Sequence, residues 1–208
     1  MERLLSARLG SARPGDAILG EELGATGSAP RRWVLDPIDG TRNFVAGRTD
    51  WGVHIALESE GEVLLGVVTR PVLGQRWWAS RDGGAYRGVL GSVAEAVQLR
   101  VSDRAKLDEA WVSGWLFDHD HARGLLRGPS SWIEAVDLDT IMRVAEGELD
   151  VLVDGTASRI WDRAPLVVLV EEAGGRYRDR HGGRNLDVQG GIFTNGLVDA
   201  ELDELPAD

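Results

Sequence analysis

A change of periodicity near the middle of the chain restricts its fold more than any other feature. Up to about residue 87 the apolar runs are short and rich in β-branched and aromatic residues: Arg32 to Asp36, stopped by Pro37; Val53 to Glu58 and Val63 to Thr69, separated by the turn-like Ser59 to Glu62; then Gln75 to Ser80 and Gly84 to Arg87. Runs joined by such short connections predict an antiparallel meander. From Trp111 onward the pattern alternates, with strands predicted at Trp111 to Gly114, Val151 to Asp154 and Ile192 to Asn195. Helices are predicted between them at Asp137 to Glu146 and Asp162 to Ala173, the second stopped by Gly174-Gly175. A meander followed by alternation predicts an α/β (α+β) layered sandwich, with a break within residues 88 to 110. We take 1 to 100 and 101 to 208 as its two parts, closing on one another as one compact unit.

Composition narrows the chemistry. The 208 residues include no cysteine, which removes disulfides, thiolate metal sites and thiol nucleophiles and leaves oxygen and nitrogen ligands. The net charge of −11 repels polyphosphate backbones and anionic lipid, so neither nucleic acid nor membrane is an expected partner. Small phosphate esters stay open, because a divalent cation held by acidic side chains inverts the local field. No run approaches the length of a membrane span, and the protein is read as soluble and cytoplasmic. The eight tryptophans are read as packing residues.

The segment Trp33 to Phe44, WVLDPIDGTRNF, sets Asp36 at a strand end and Asp39 three residues later, where two carboxylates can converge on one cation. Pro37 interrupts the ladder and leaves the Ile38 carbonyl free as a further hard oxygen ligand. If a helix starts after Asp39, the amides of Gly40 and Thr41 form a phosphate seat beside the metal. The competing reading of Asp-Pro-x-Asp-Gly is an ordinary surface turn. Upstream, LGEE at Leu19 to Glu22 is a second acidic strand end, or a solvated pair. Downstream, Asp162 follows Ile160-Trp161 at a helix start, where an aspartate is also a common N-cap.

Taken together and in this order, GEE, WVLDPIDGT, WDRAPLVVLVEEAGG and the closing FTNG at Phe193 to Gly196 resemble the inositol-monophosphatase superfamily of magnesium-dependent phosphomonoesterases. The resemblance implies an αβαβα sandwich, truncated at its N-terminus, because relatives carry two helices and a D-x-V-T-x-x-D segment before GEE. It implies that Glu21, Asp36, the Ile38 carbonyl and Asp39 hold metal, that Asp162 joins Asp36 and Asp39 around a second ion, and that two or three Mg2+ ions are bound. Glu21 and Thr41 would orient the attacking water. Pro165 departs from the alanine usual in WD-x-A-A, and is expected in the first helical turn, where its missing N–H has no partner.

Within the superfamily, DGTRNFVAG at Asp39 to Gly47, RWWAS at Arg76 to Ser80 and VAEG at Val144 to Gly147 are most like the histidinol-phosphatase branch. Asp137 falls where that branch carries an acidic residue able to recognise a substrate cation, although an N-cap serves equally. Asp154 approaches a substrate glutamate of inositol-type members, one residue out of step, and Arg159 could reach a substrate phosphate or carboxylate or lie on the surface. Asp50-Trp51-Gly52-Val53-His54 also resembles relatives that act on 3′-phosphoadenosine 5′-phosphate, with His54 read as a packed or rim histidine. Asp118-His119-Asp120-His121 is read as a solvated loop. Histidinol phosphate is thus the expected substrate, with inositol 1-phosphate, the adenosine bisphosphate and a non-catalytic metal-binding relative as alternatives. A homodimer is compatible with all of them.

Overall fold

The computed structural model describes residues 1–115, 131–133, 140, 142–155 and 158–203. Helix α1 (Glu2–Ala12) precedes strands β1 (Ala17–Gly20), β2 (Gly24–Thr26) and β3 (Arg31–Asp39) and the short helix α2 (Thr41–Val45). Strands β4 (Gly52–Ser59), β5 (Glu62–Arg70), β6 (Gln75–Ser80), β7 (Gly84–Val89) and β8 (Val97–Gln98) follow. Beyond them lie β9 (Trp111–Trp115), β10 (Ser131–Trp132), α3 (Met142–Ala145), β11 (Val151–Asp154), α4 (Ile160–Glu172), β12 (Arg176–Asp179), β13 (Gly191–Thr194) and α5 (Asp199–Asp203).

The first eight strands form one sheet in the order β2-β1-β3-β4-β5-β6-β7-β8, and the other five form a second in the order β10-β9-β11-β13-β12. From β3 to β7 the first sheet is the expected antiparallel meander, which β8, inside the predicted break, extends by one strand, while β1 joins β3 in parallel. Side chains alternate strictly along β4, where Gly52, His54, Ala56 and Glu58 face inward.

Helix α4 is the layer between the sheets. Its sequence is apolar nearly all round, and Ala164 to Val170 are all buried, as expected of a helix covered on both sides. It crosses the first sheet over β5 at Gly66, where a β-carbon would stand 2.5 Å from the Pro165 carbonyl oxygen; only glycine admits that approach. The main core joins Val34, Ala56, Val68 and Trp77 of the first half to Leu152, Leu166, Leu169 and Phe193 of the second. A smaller cluster of Val112, Val151, Val153 and Val198 lies on the far face of the second sheet, against α5.

Several expectations are corrected. The opening residues, for which the sequence analysis predicts no element, form α1, which packs on β1 and β3. The segment Arg176–Asp179 is a strand that the sequence reading passed over. Pro165 is the sixth residue of α4, not part of its first turn, so it does cost a hydrogen bond, the one its N–H would have made to the Trp161 carbonyl. Of the helix expected at Asp137 to Glu146, the described part is Met142–Ala145. Asp137 itself and the Asp118 to His121 segment lie outside the described residues.

Candidate active site

Strand geometry alone would keep Asp36 and Asp39 apart, since residues three apart on a regular strand face opposite sides. In β3, however, Asp36 pairs with His54 and Asp39 with Gly52, three steps against two on β4. The extra residue is a bulge that restores Asp39 to the inward side. Pro37, which has no N–H to lose from the ladder, sits within it. The bulge is closed by Asp36 Oδ1, which accepts the Ile38 N–H at 2.9 Å.

Two other elements deliver their carboxylates to the same place. Parallel pairing sets Gly20 opposite Leu35, and the Glu21 N–H donates to the Leu35 carbonyl at 3.1 Å, so Glu21 emerges beside Asp36 and shares a hydrogen bond with it. Asp162 is the third residue of α4, and its Oδ2 accepts the Arg159 N–H at 2.6 Å, half of a capping box. Oxygens of Asp36, Asp39 and Asp162 lie within 4.8 Å of one another. The N-cap expected at Asp162 is Arg159 instead; Asp162 stands at N3, where one carboxylate both caps the Arg159 N–H and joins the acidic cluster.

Electrostatics defines what this cluster lacks. Burial, with the charges of Asp39 and Glu21 behind it, pushes Asp36 up to about 9. Burial likewise lifts Asp39 and Asp162 to about 6, each against an opposing backbone hydrogen bond. Glu21 is raised too, first by desolvation. Carboxylates that hold protons this firmly are short of positive charge. The donor set is all oxygen, which suits a hard divalent cation such as Mg2+, Mn2+ or Ca2+. The residues present therefore fit a metal.

The remaining expected residues divide. The Thr41 hydroxyl donates to the Ile38 carbonyl at 2.9 Å, so the two sit together at the rim. Gly40, with a left-handed φ of 79°, starts the five-residue α2, but its N–H is turned to the Asp39 carboxylate and not outward as a phosphate seat requires. Asp154, 4% exposed, faces Arg163 Nε at 3.5 Å; burial raises it to about 7, against the pull of Arg163. Arg159 is exposed and lines, with Leu19, Trp161, Arg163, Asp187 and Gln189, a cavity of about 240 Å3 beside the start of α4.

Three neighbours back the cluster. His54, read from the sequence as a packed or rim histidine, is fully buried with Nε2 3.5 Å from Asp39 Oδ2, near the backbones of Trp161 and Asp162; it thus stands at the carbonyl that Pro165 leaves without a helical donor. Burial lowers it to about 4, so it is neutral. Arg70, buried on β5, donates to Asp50 Oδ1 at 2.5 Å and holds the Asp39 pKa down. Asp50 Oδ2 in turn accepts from Asn43 on α2. The one available signal was parity: His54 and Arg70 fall on inward positions of alternating strands.

Known proteins place this site in a family. The model of the inositol monophosphatase family matches residues 1–205. A Streptomyces griseus protein named glucose-1-phosphate thymidylyltransferase is 41% identical, over 96% of this chain and 78% of its own length. The histidinol-phosphatase of Mycobacterium tuberculosis is 39% identical, over 93% of this chain and 76% of its own. A solved inositol monophosphatase from Zymomonas mobilis superposes with a TM-score of 0.80 at 29% identity, over 97% of this chain and 79% of that one. The chain belongs to the inositol monophosphatase family of phosphoric monoester hydrolases.

Proposed function

We propose that this chain hydrolyses histidinol phosphate with the help of two or three Mg2+ ions, as a cytoplasmic enzyme of histidine biosynthesis. The observation that carries the metal reading is the convergence of Asp36, Asp39 and Asp162 from two distant segments within 4.8 Å, with Glu21 hydrogen-bonded to Asp36. Glu21, Asp36, the Ile38 carbonyl and Asp39 would hold one ion, and Asp36, Asp39 and Asp162 another. Bound divalent cations supply an activated water and neutralise charge on the phosphoryl oxygens.

The protein's own groups do the rest. Glu21, whose proton affinity burial raises, would accept a proton from the attacking water, and the Thr41 hydroxyl, fixed at the Ile38 carbonyl, would orient it. The Thr41 amide, and that of Gly40 once released from Asp39, would bind the ester phosphate. Asp154, Arg159 and Asp137 would bind the substrate beyond its phosphate. The substrate choice is supported by the sequence motifs and by the name of the mycobacterial relative.

Phosphate release is to be measured from histidinol phosphate, inositol 1-phosphate and 3′-phosphoadenosine 5′-phosphate, with and without Mg2+. Mg2+-dependent release fastest from histidinol phosphate is expected. Faster turnover of either other ester reassigns the substrate, and no release from any ends the catalytic reading.

A further inference from the structure

The chemistry above makes no use of Glu2, yet this residue at the start of α1 is only 4% exposed. Its carboxylate lies against the turn that carries Glu21: Oε2 accepts the Glu22 N–H and Oε1 the Leu23 N–H, both at 2.9 Å. Those amides belong to the three-residue connection between β1 and β2, where Gly20 pairs with Gly24; the Glu21 N–H still bonds to β3, while those of Glu22 and Leu23 turn to Glu2. Space for the carboxylate exists because residue 20 has no side chain, since a β-carbon there would stand 1.9 Å from Glu2 Oε1. A charged acceptor on two adjacent amides is a strong lock on a short turn.

We propose that Glu2 is a positioning residue for Glu21, fixing the β1–β2 turn so that the Glu21 carboxylate is held at Asp36. The inference rests on the reading of Glu21 as a metal ligand. Supporting groups of this kind, one step behind the ligands, commonly set metal affinity by a factor of about 10–100.

The test uses the full chain, stripped of metal, with Mn2+ as the probe in calorimetric titration and with hydrogen exchange at the Glu22 and Leu23 amides as a metal-independent readout. Glu2→Ala and Gly20→Ala are each expected to weaken Mn2+ binding at least about tenfold and to speed exchange at both amides by a similar factor. Glu2→Gln, which keeps one acceptor, falls between them and the parent. The double variant Glu2→Ala/Gly20→Ala is no worse than Glu2→Ala, because the added methyl then displaces nothing. Should Glu2→Ala fail to fold, Glu2→Gln and Gly20→Ala carry the comparison. Asp36→Asn separates the two ideas. If it abolishes Mn2+ binding while folded Glu2 and Gly20 variants stay within twofold of the parent, this inference is overturned and the metal reading stands. If the parent itself binds no Mn2+, both fall.

Discussion

Trp77 on β6 donates its indole N–H to Glu146 Oε1 at 2.8 Å, and Arg87 on β7 donates to the same oxygen at 2.9 Å. The bond joins the RWWAS and VAEG segments, two of the motifs by which the histidinol-phosphatase branch was inferred. Both therefore act here in packing: Trp77 belongs to the main core, and Glu146 satisfies its buried donor. Glu146→Ala is expected to cost about 1–3 kcal/mol in urea unfolding, the penalty for leaving a buried N–H without an acceptor. The ratio of kcat/KM values between substrates should not move; a changed ratio would return this glutamate to substrate selection.

Asp36→Asn is expected to abolish metal-dependent hydrolysis while raising the stability of the metal-free protein by about 1 kcal/mol, as relief of like-charge strain at a functional site does. Thermal unfolding in chelator checks the second half. A less stable variant would mean that the Asp36 carboxylate, whose oxygen receives the Ile38 N–H, matters more to the bulge than to the charge cluster.

For the pH dependence of the metal-free protein, Asp36 at about 9 and Asp39 and Asp162 at about 6 all lie above their unfolded values. The folded state then binds more protons than the unfolded one from pH 4 upward, and stability falls as pH rises toward 9. His54, lowered to about 4, works in the opposite sense between pH 4 and 6.5, but as one group against these three and Asp154, which burial lifts to about 7. Melting temperatures in chelator should therefore be lower at pH 8 than at pH 5, and saturating Mg2+ should shrink or reverse that order while releasing protons. Equal melting temperatures at the two pH values in chelator would contradict the charge cluster.

Arg163 is 1% exposed and donates to the carbonyls of Gly190 at 2.8 Å and Leu186 at 3.0 Å, with Asp154 3.5 Å from its Nε. Arg163→Ala strands a buried carboxylate and two carbonyls, and should cost about 3–5 kcal/mol. Lysine cannot reproduce the planar fork and should recover little of it. Chemical denaturation of both variants is the measurement, and full recovery by Arg163→Lys would contradict the geometry.

Local pattern determined much of this protein. The alternation in β4, the apolar run of α4 and the turn residues between strands specify elements from near neighbours alone, so the meander and the layered architecture were readable without coordinates. The acidic segments around Glu21, Asp36 and Asp162 could be named as well. What pairing partners decide was not readable. That Asp39 returns to the side of Asp36 depends on a register shift against β4, and the strand's own parity argues the other way. That Asp154 faces Arg163, and that His54 and Glu2 close in behind the carboxylates, follows from elements far apart in the chain packing together. A short window of sequence records the first kind of information through periodicity; the second exists only once the sheets and α4 have met, because a side chain's neighbours are set by the fold and not by its place in the chain.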